Sequence, residues 1–95
     1  MVIKLKLKEV KPTDLEVIQF NRQNIQALIN YCEIIKKSVK SFEMCGFMVS
    51  NIIILKLTFF NGIILTLKET DYLCFDGSDI FVRSGYQLHQ NYQGL

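Results

Sequence analysis

The chain reads as an α+β domain in which one amphipathic helix packs on a mostly antiparallel sheet built of N-terminal strands and two hairpins. Three observations predict this: period-two alternation at the N-terminus, one helical apolar stripe between Ile25 and Ile35, and two strand pairs around Asn61-Gly62 and Asp76-Gly77. Ninety-five residues, about half of them apolar, make one domain, residues 1–95, with enough apolar surface for one core. The 21% charged and 12% aromatic content is that of a folded chain.

In Val2-Ile3-Lys4-Leu5-Lys6-Leu7-Lys8, Ile3, Leu5 and Leu7 share one face and the lysines the other. This is a half-buried strand whose lysines suit a sheet edge. Pro12 ends it. Leu15 to Phe20 follows as a strand with Leu15 and Val17 on one face and Glu16, Ile18 and Phe20 on the other. Asn21 or Asn24 is placed to cap a helix. Its stripe is Ile25, Leu28, Ile29, Cys32, Ile35 and Val39. Lys36, Lys37 and Lys40 complement the dipole at its C-terminal end.

Phe42 to Val49 reads as a strand bent near Gly46, and Asn51–Phe60 with Ile63–Lys68 as a hairpin. Its register follows from matching faces. A two-residue turn would set Lys56 against Leu67, whereas a three-residue loop, Phe60-Asn61-Gly62, sets Leu57 against Leu65 and Leu55 against Leu67. A one-residue slip exchanges the faces, so the apolar match selects the three-residue loop with Gly62 left-handed. A four-residue loop, 76–79, pairs Phe75 with Ile80 and Leu73 with Val82. Tyr86 to Tyr92 makes a short helical turn with Leu88 and Tyr92 on one side.

Met44 to Leu67 carries one charge, Lys56, in 24 residues, which is long enough to cross a bilayer. Lys56 at mid-span would cost about 2.5–3.5 kcal/mol. The turn signals Ser50-Asn51 and Asn61-Gly62 divide the stretch, so it reads as strands. The N-terminus lacks a secretory leader's continuous apolar run, and three cysteines with long spacings read as reduced core thiols of a cytosolic protein.

No motif for chemistry stands out. Cys74 and His89 lack an orienting third group. One histidine and no C-x-x-C pair argue against zinc, and Asp71, Asp76 and Asp79 lack the calcium-loop pattern. Neither a metal nor a cofactor is expected. Residues 1–40 carry +4 (eight basic, four acidic) and residues 41–95 carry −2 (three basic, five acidic). Two lysine groups are candidates for nucleic acid: Lys4, Lys6, Lys8 and Lys11, or Lys36, Lys37 and Lys40. Tyr72, Arg83, Tyr86, Gln87 and Tyr92 are the candidates for a protein partner, because tyrosine and arginine anchor interfaces.

Lys11-Pro12 followed by Glu16-Val17-Ile18-Gln19-Phe20 and a helix resembles the opening of a family of small phage and prophage accessory proteins, which read K-P, then E-A-I-Q-F/W, then a helix. Those proteins continue with G-D-W/Y-I-V, a hairpin and P-x-x-F-x-x-x-Y. Asp71-Tyr72-Leu73-Cys74 resembles the first of these, and Leu88 and Tyr92 stand at the spacing of the last. Thr70 replaces the family's glycine and Gly85 stands near its proline. The resemblance implies a phage or prophage accessory protein of poorly defined biochemistry and brings no catalytic residues. Together with the small size and the absence of a chemical motif, the expectation is a non-enzymatic phage-encoded protein acting by stoichiometric binding in the bacterial cytoplasm, in its most concrete form an anti-defence inhibitor of the anti-CRISPR type. A nucleic-acid module, or a structural homodimer formed through the lysine-lined strand, are the other expectations.

Overall fold

The computed structural model describes residues 2–7, 14–47 and 51–94. Its elements are β1 (Val2–Leu7), β2 (Asp14–Gln19), α1 (Ile25–Ile34), β3 (Val39–Phe47), β4 (Ile52–Phe59), β5 (Ile64–Lys68), β6 (Tyr72–Phe75), β7 (Ile80–Arg83), α2 (Gly85–Asn91) and β8 (Tyr92–Gln93). The fold is α+β, with the strands in two antiparallel sheets. One has the order β7-β6-β2-β1-β8, the other β3-β4-β5.

Alternation in β2 divides the core in two. Ile18 and Phe20 face Leu28, Tyr31 and Cys32 of α1 and Leu55, Leu57, Phe59 and Leu67 of the three-stranded sheet. Leu15 and Val17 face the other way and join Leu5, Cys74 and Leu88 of α2. The five-stranded sheet is therefore the middle layer. Burying both faces explains why β2 carries apolar residues on each.

Both hairpin registers match the sequence reading. Leu55 pairs with Leu67 and Leu57 with Leu65. Phe59 N–H donates to Ile63 O at 2.9 Å, and Gly62 takes φ +90 in the loop between them. In the second hairpin Phe75 pairs with Ile80 and Leu73 with Val82. Asp76 Oδ1 holds that loop by accepting from the Ser78 and Asp79 N–H groups.

Several expectations are corrected. The stripe residue Val39 belongs to β3, because α1 ends at Ile34. Lys36 and Lys37 close the helix: Lys36 sits at φ +60, its N–H reaches Glu33 O, and Lys37 N–H reaches Cys32 O. This is a Schellman closure with lysine where glycine is usual. Asn24 occupies the N-cap position without a side-chain cap, and its Oδ1 instead accepts from Asn21 N–H. The irregularity in β3 lies between Val39 and Ser41, while Gly46 pairs in register with Ile53. Val49 and Pro12 lie outside the described residues. β1 is an edge only in part, since the two-residue β8 pairs with its far end at Lys6 and Leu7. The apolar stretch tested as a membrane span forms the end of β3, β4 and β5 among the described residues. No helix among them is long and apolar enough to cross a membrane.

The link from β5 to β6 locks onto the end of β2. Thr70 N–H donates to Phe20 O, and Phe20 N–H donates to Asp71 O. Arg22 clasps Glu69 through Nε, Nη2 and its backbone N–H at 2.8–3.0 Å, which holds the Glu69 carboxyl down at about 2. Thr70 takes φ +81, a left-handed conformation rare for a β-branched residue.

Candidate interaction surface

Of the sequence-derived tyrosine and arginine set, Tyr72 and Arg83 stand together at one end of the five-stranded sheet, while Tyr92 pairs with Leu7 at the other end and on the opposite edge. Tyr72 and Arg83 are register partners. A Cβ on Gly85, at the start of α2, would stand 3.5 Å from Tyr72, so α2 begins against that ring. Most of this set is occupied in building the fold. Tyr72 and Tyr92 pack against the second core. Gln87 forms a reciprocal capping box with Ser84: Ser84 N–H donates to Gln87 Oε1 and Gln87 N–H donates to Ser84 Oγ. Arg83 lies 4.7 Å from the Phe81 ring centroid and donates to Val82 O. Tyr86 protrudes, 73% exposed.

The two lysine groups differ. Lys4 stands in register opposite Glu16 and shares a hollow with Asp14, Glu16 and Asp76, while Lys6 lies in register with Asp14. Carboxylates beside Lys4 weaken a phosphate footprint there. Lys8 and Lys11 lie outside the described residues. Glu16 is further engaged by Tyr31, whose hydroxyl donates to Oε1 at 2.9 Å. Burial, then this bond, raises the Tyr31 phenol's pKa. Lys36 and Lys37 instead line a shallow hollow of about 280 Å³ with Ser38, Phe59, Phe60 and Asn61. Lys40 lies further along, at the β3 irregularity.

Exposed apolar side chains are the feature that sequence patterning missed. Six of the nine large ones among the described residues lie on the three-stranded sheet and its turn: Phe42, Met44, Ile52, Phe60, Ile63 and Ile64. Phe60 is 70% exposed and Ile64 54%. Phe60 and Ile63 occupy the β4–β5 turn, and Ile64 follows at the first β5 position, opposite Thr58 on the face turned away from the core. The signal available was Phe60-Asn61-Gly62-Ile63-Ile64 itself, since a hairpin turn is ordinarily polar. Lys36 and Lys37 border the Phe60 end of this apolar tip.

Two of the three thiols are buried. Burial pushes Cys32 up to about 11 and Cys74 up to about 12, opposite to what a nucleophile needs. Cys45 is exposed on β3. Among the described residues no group of three or more histidine, cysteine or acidic side chains converges as for a metal ion. No protein-family model matches this chain, nor does any curated protein or solved structure.

Proposed function

We propose that the chain acts without catalysis, by stoichiometric binding of a protein partner at the β4–β5 tip. The observation that carries this reading is the exposure of Phe60, Ile63 and Ile64 along one turn, with Lys36 and Lys37 beside Phe60. Soluble domains seldom keep neighbouring large apolar side chains exposed without using them. The lysines select a partner with acidic residues beside an apolar pocket, and the charges speed encounter more than they tighten the complex.

The resemblance to phage accessory proteins suggests a setting, the cytoplasm of a bacterial host, and inhibition of a host defence protein by occlusion is the role we propose there. Thr70 supports that resemblance: it holds a glycine-like φ at the position where the family reads glycine.

Tagged wild-type chain, used as bait in bacterial lysate, retains a stoichiometric protein. Ile64→Lys, with unchanged circular dichroism, loses it. Absence of any stoichiometric partner, or equal retention by the variant, refutes the reading.

A second reading has its own observation, the exposed Phe60 beside two lysines, which suits single-stranded nucleic acid by stacking and charge. Retention of oligonucleotide that falls steeply with salt would favour it over a protein partner.

A further inference from the structure

Among the described residues β3 is the longest edge strand, nine residues against five, four and two for β5, β7 and β8. Every residue from Lys40 to Gly46 is exposed, including Phe42 at 49% and Met44 at 48%. Long apolar edges are templates for strand addition, and proteins usually shorten, cover or charge them. We propose that β3 pairs antiparallel with β3 of a second copy of this chain, joining the two three-stranded sheets into one of six strands. This surface is separate from the β4–β5 tip and goes beyond the binding proposed there.

Backbone geometry defines which groups are available. Phe59 N–H bonds toward β5. By antiparallel alternation Leu57 and Leu55 do the same, while Thr58, Lys56 and Ile54 bond toward β3. Their β3 partners Ser41, Glu43 and Cys45 therefore turn their main-chain groups inward. Phe42, Met44 and Gly46 turn theirs to the open edge.

Charge then selects the register. A two-fold axis normal to the sheet keeps equivalent faces together. Centring it on Glu43 would oppose two like charges, which is unfavourable. Centring it on Phe42 opposes the two phenylalanines and sets Ser41 against Glu43 of the other copy. The register shift between Val39 and Ser41 leaves Lys40 as the extra residue; because Thr58 is the residue bonding toward β3 there, bulge geometry sets Lys40 beside Ser41, on the Glu43 face. Lys40 of each copy thus meets Glu43 of the other, once on each side of the axis. Glu43 then lies between Lys56 of its own β4 and that lysine. The charge pattern of β3 is self-complementary in this register.

The test is light scattering and sedimentation of the full chain. The wild-type chain is a dimer. Lys40→Glu and Glu43→Lys each weaken it by roughly tenfold, because each turns two attractive cross-strand pairs into repulsive ones. Mixing the two variants restores a heterodimer: the two introduced charges face each other on one side of the axis, and the native Lys40 and Glu43 face each other on the other side. In a Cys45→Ser background that keeps Lys40 and Glu43, Phe42→Cys at the axis oxidises to a linked dimer, and Met44→Cys does not. A wild-type chain that stays monomeric at its highest soluble concentration overturns the proposal. So does a dimer indifferent to both charge reversals, or linkage through Met44→Cys and not Phe42→Cys. Phe60→Ser leaves the dimer intact, and a monomeric wild type would leave capture by the tip untouched, so the two proposals fail separately.

Discussion

Replacing Leu57 by alanine, with Ile64→Ala as its partner experiment, tests the register on which both sheets depend. Leu57 is fully buried between α1, β2 and β5, whereas Ile64 is more than half exposed on the opposite face of the same sheet. Truncating a buried leucine removes its transfer free energy and leaves a cavity, about 2–5 kcal/mol together, and the enclosed position between two sheets places it near about 3. Against a total of about 5–14 kcal/mol for a domain of this length, that is a large share. At about 4–8 °C per kcal/mol, the melting temperature falls by roughly 12–24 °C. Ile64→Ala changes stability by no more than about 0.5 kcal/mol. Urea unfolding followed by circular dichroism, with the slope compared between variants, gives both values. A cost below about 1 kcal/mol at Leu57, or equal costs at the two sites, would mean that β4 is slipped by one residue and the inner face is wrong.

Other outcomes follow from single features. Thr70→Gly stabilises by about 1 kcal/mol in denaturant melts, because it relieves a left-handed β-branched residue at a smaller entropic cost. Lys36→Gly, at the helix closure, does so by about 0.5 kcal/mol. With an alkylating reagent, folded chain modifies rapidly at Cys45 alone and unfolded chain at all three cysteines, since Cys32 and Cys74 are buried with raised pKa values. The Glu69 carboxyl, its pKa lowered by the Arg22 side-chain bond and then by the Arg22 backbone N–H, titrates near about 2. Its stabilising contribution is complete above the unfolded carboxylate value of about 4.3 and is lost as pH falls through about 2. Carboxyl-carbon resonance titration reads the midpoint, and Arg22→Gln returns it toward about 4.3. A wild-type midpoint near that value would contradict the clasp.

The hairpins are legible because period-two alternation and turn chemistry are local. Matching apolar faces across Phe60–Gly62 and the 76–79 loop determines both registers without knowledge of distant residues. What is not legible depends on distant partners. Tyr31 looks polar on a helical wheel, and it is buried because Glu16, on another element, accepts its hydroxyl. The covering of the far end of β1 rests on the two-residue β8, whose partners Leu7 and Lys6 lie far away in sequence, and no local pattern carries such a pairing. The Ser84–Gln87 capping box is visible as S-x-x-Q, although Gln87 draws notice first as a binding residue. The candidate site shows the opposite failure. Tyrosine and arginine stand out by residue type, yet most of them cover core or cap a helix, while Phe60, Ile63 and Ile64 look like ordinary strand residues. Exposure decides the matter, and it is set by how far the helix and the other sheet reach across the three-stranded one.

The most direct test of the account is quantitative capture from bacterial lysate by wild-type chain, Phe60→Asp and Tyr86→Ala at matched expression and equal helicity. The account predicts a stoichiometric protein held by wild type and by Tyr86→Ala and lost by Phe60→Asp. Retention by Phe60→Asp, or loss on Tyr86→Ala alone, would move the binding surface to the tyrosine end and contradict it.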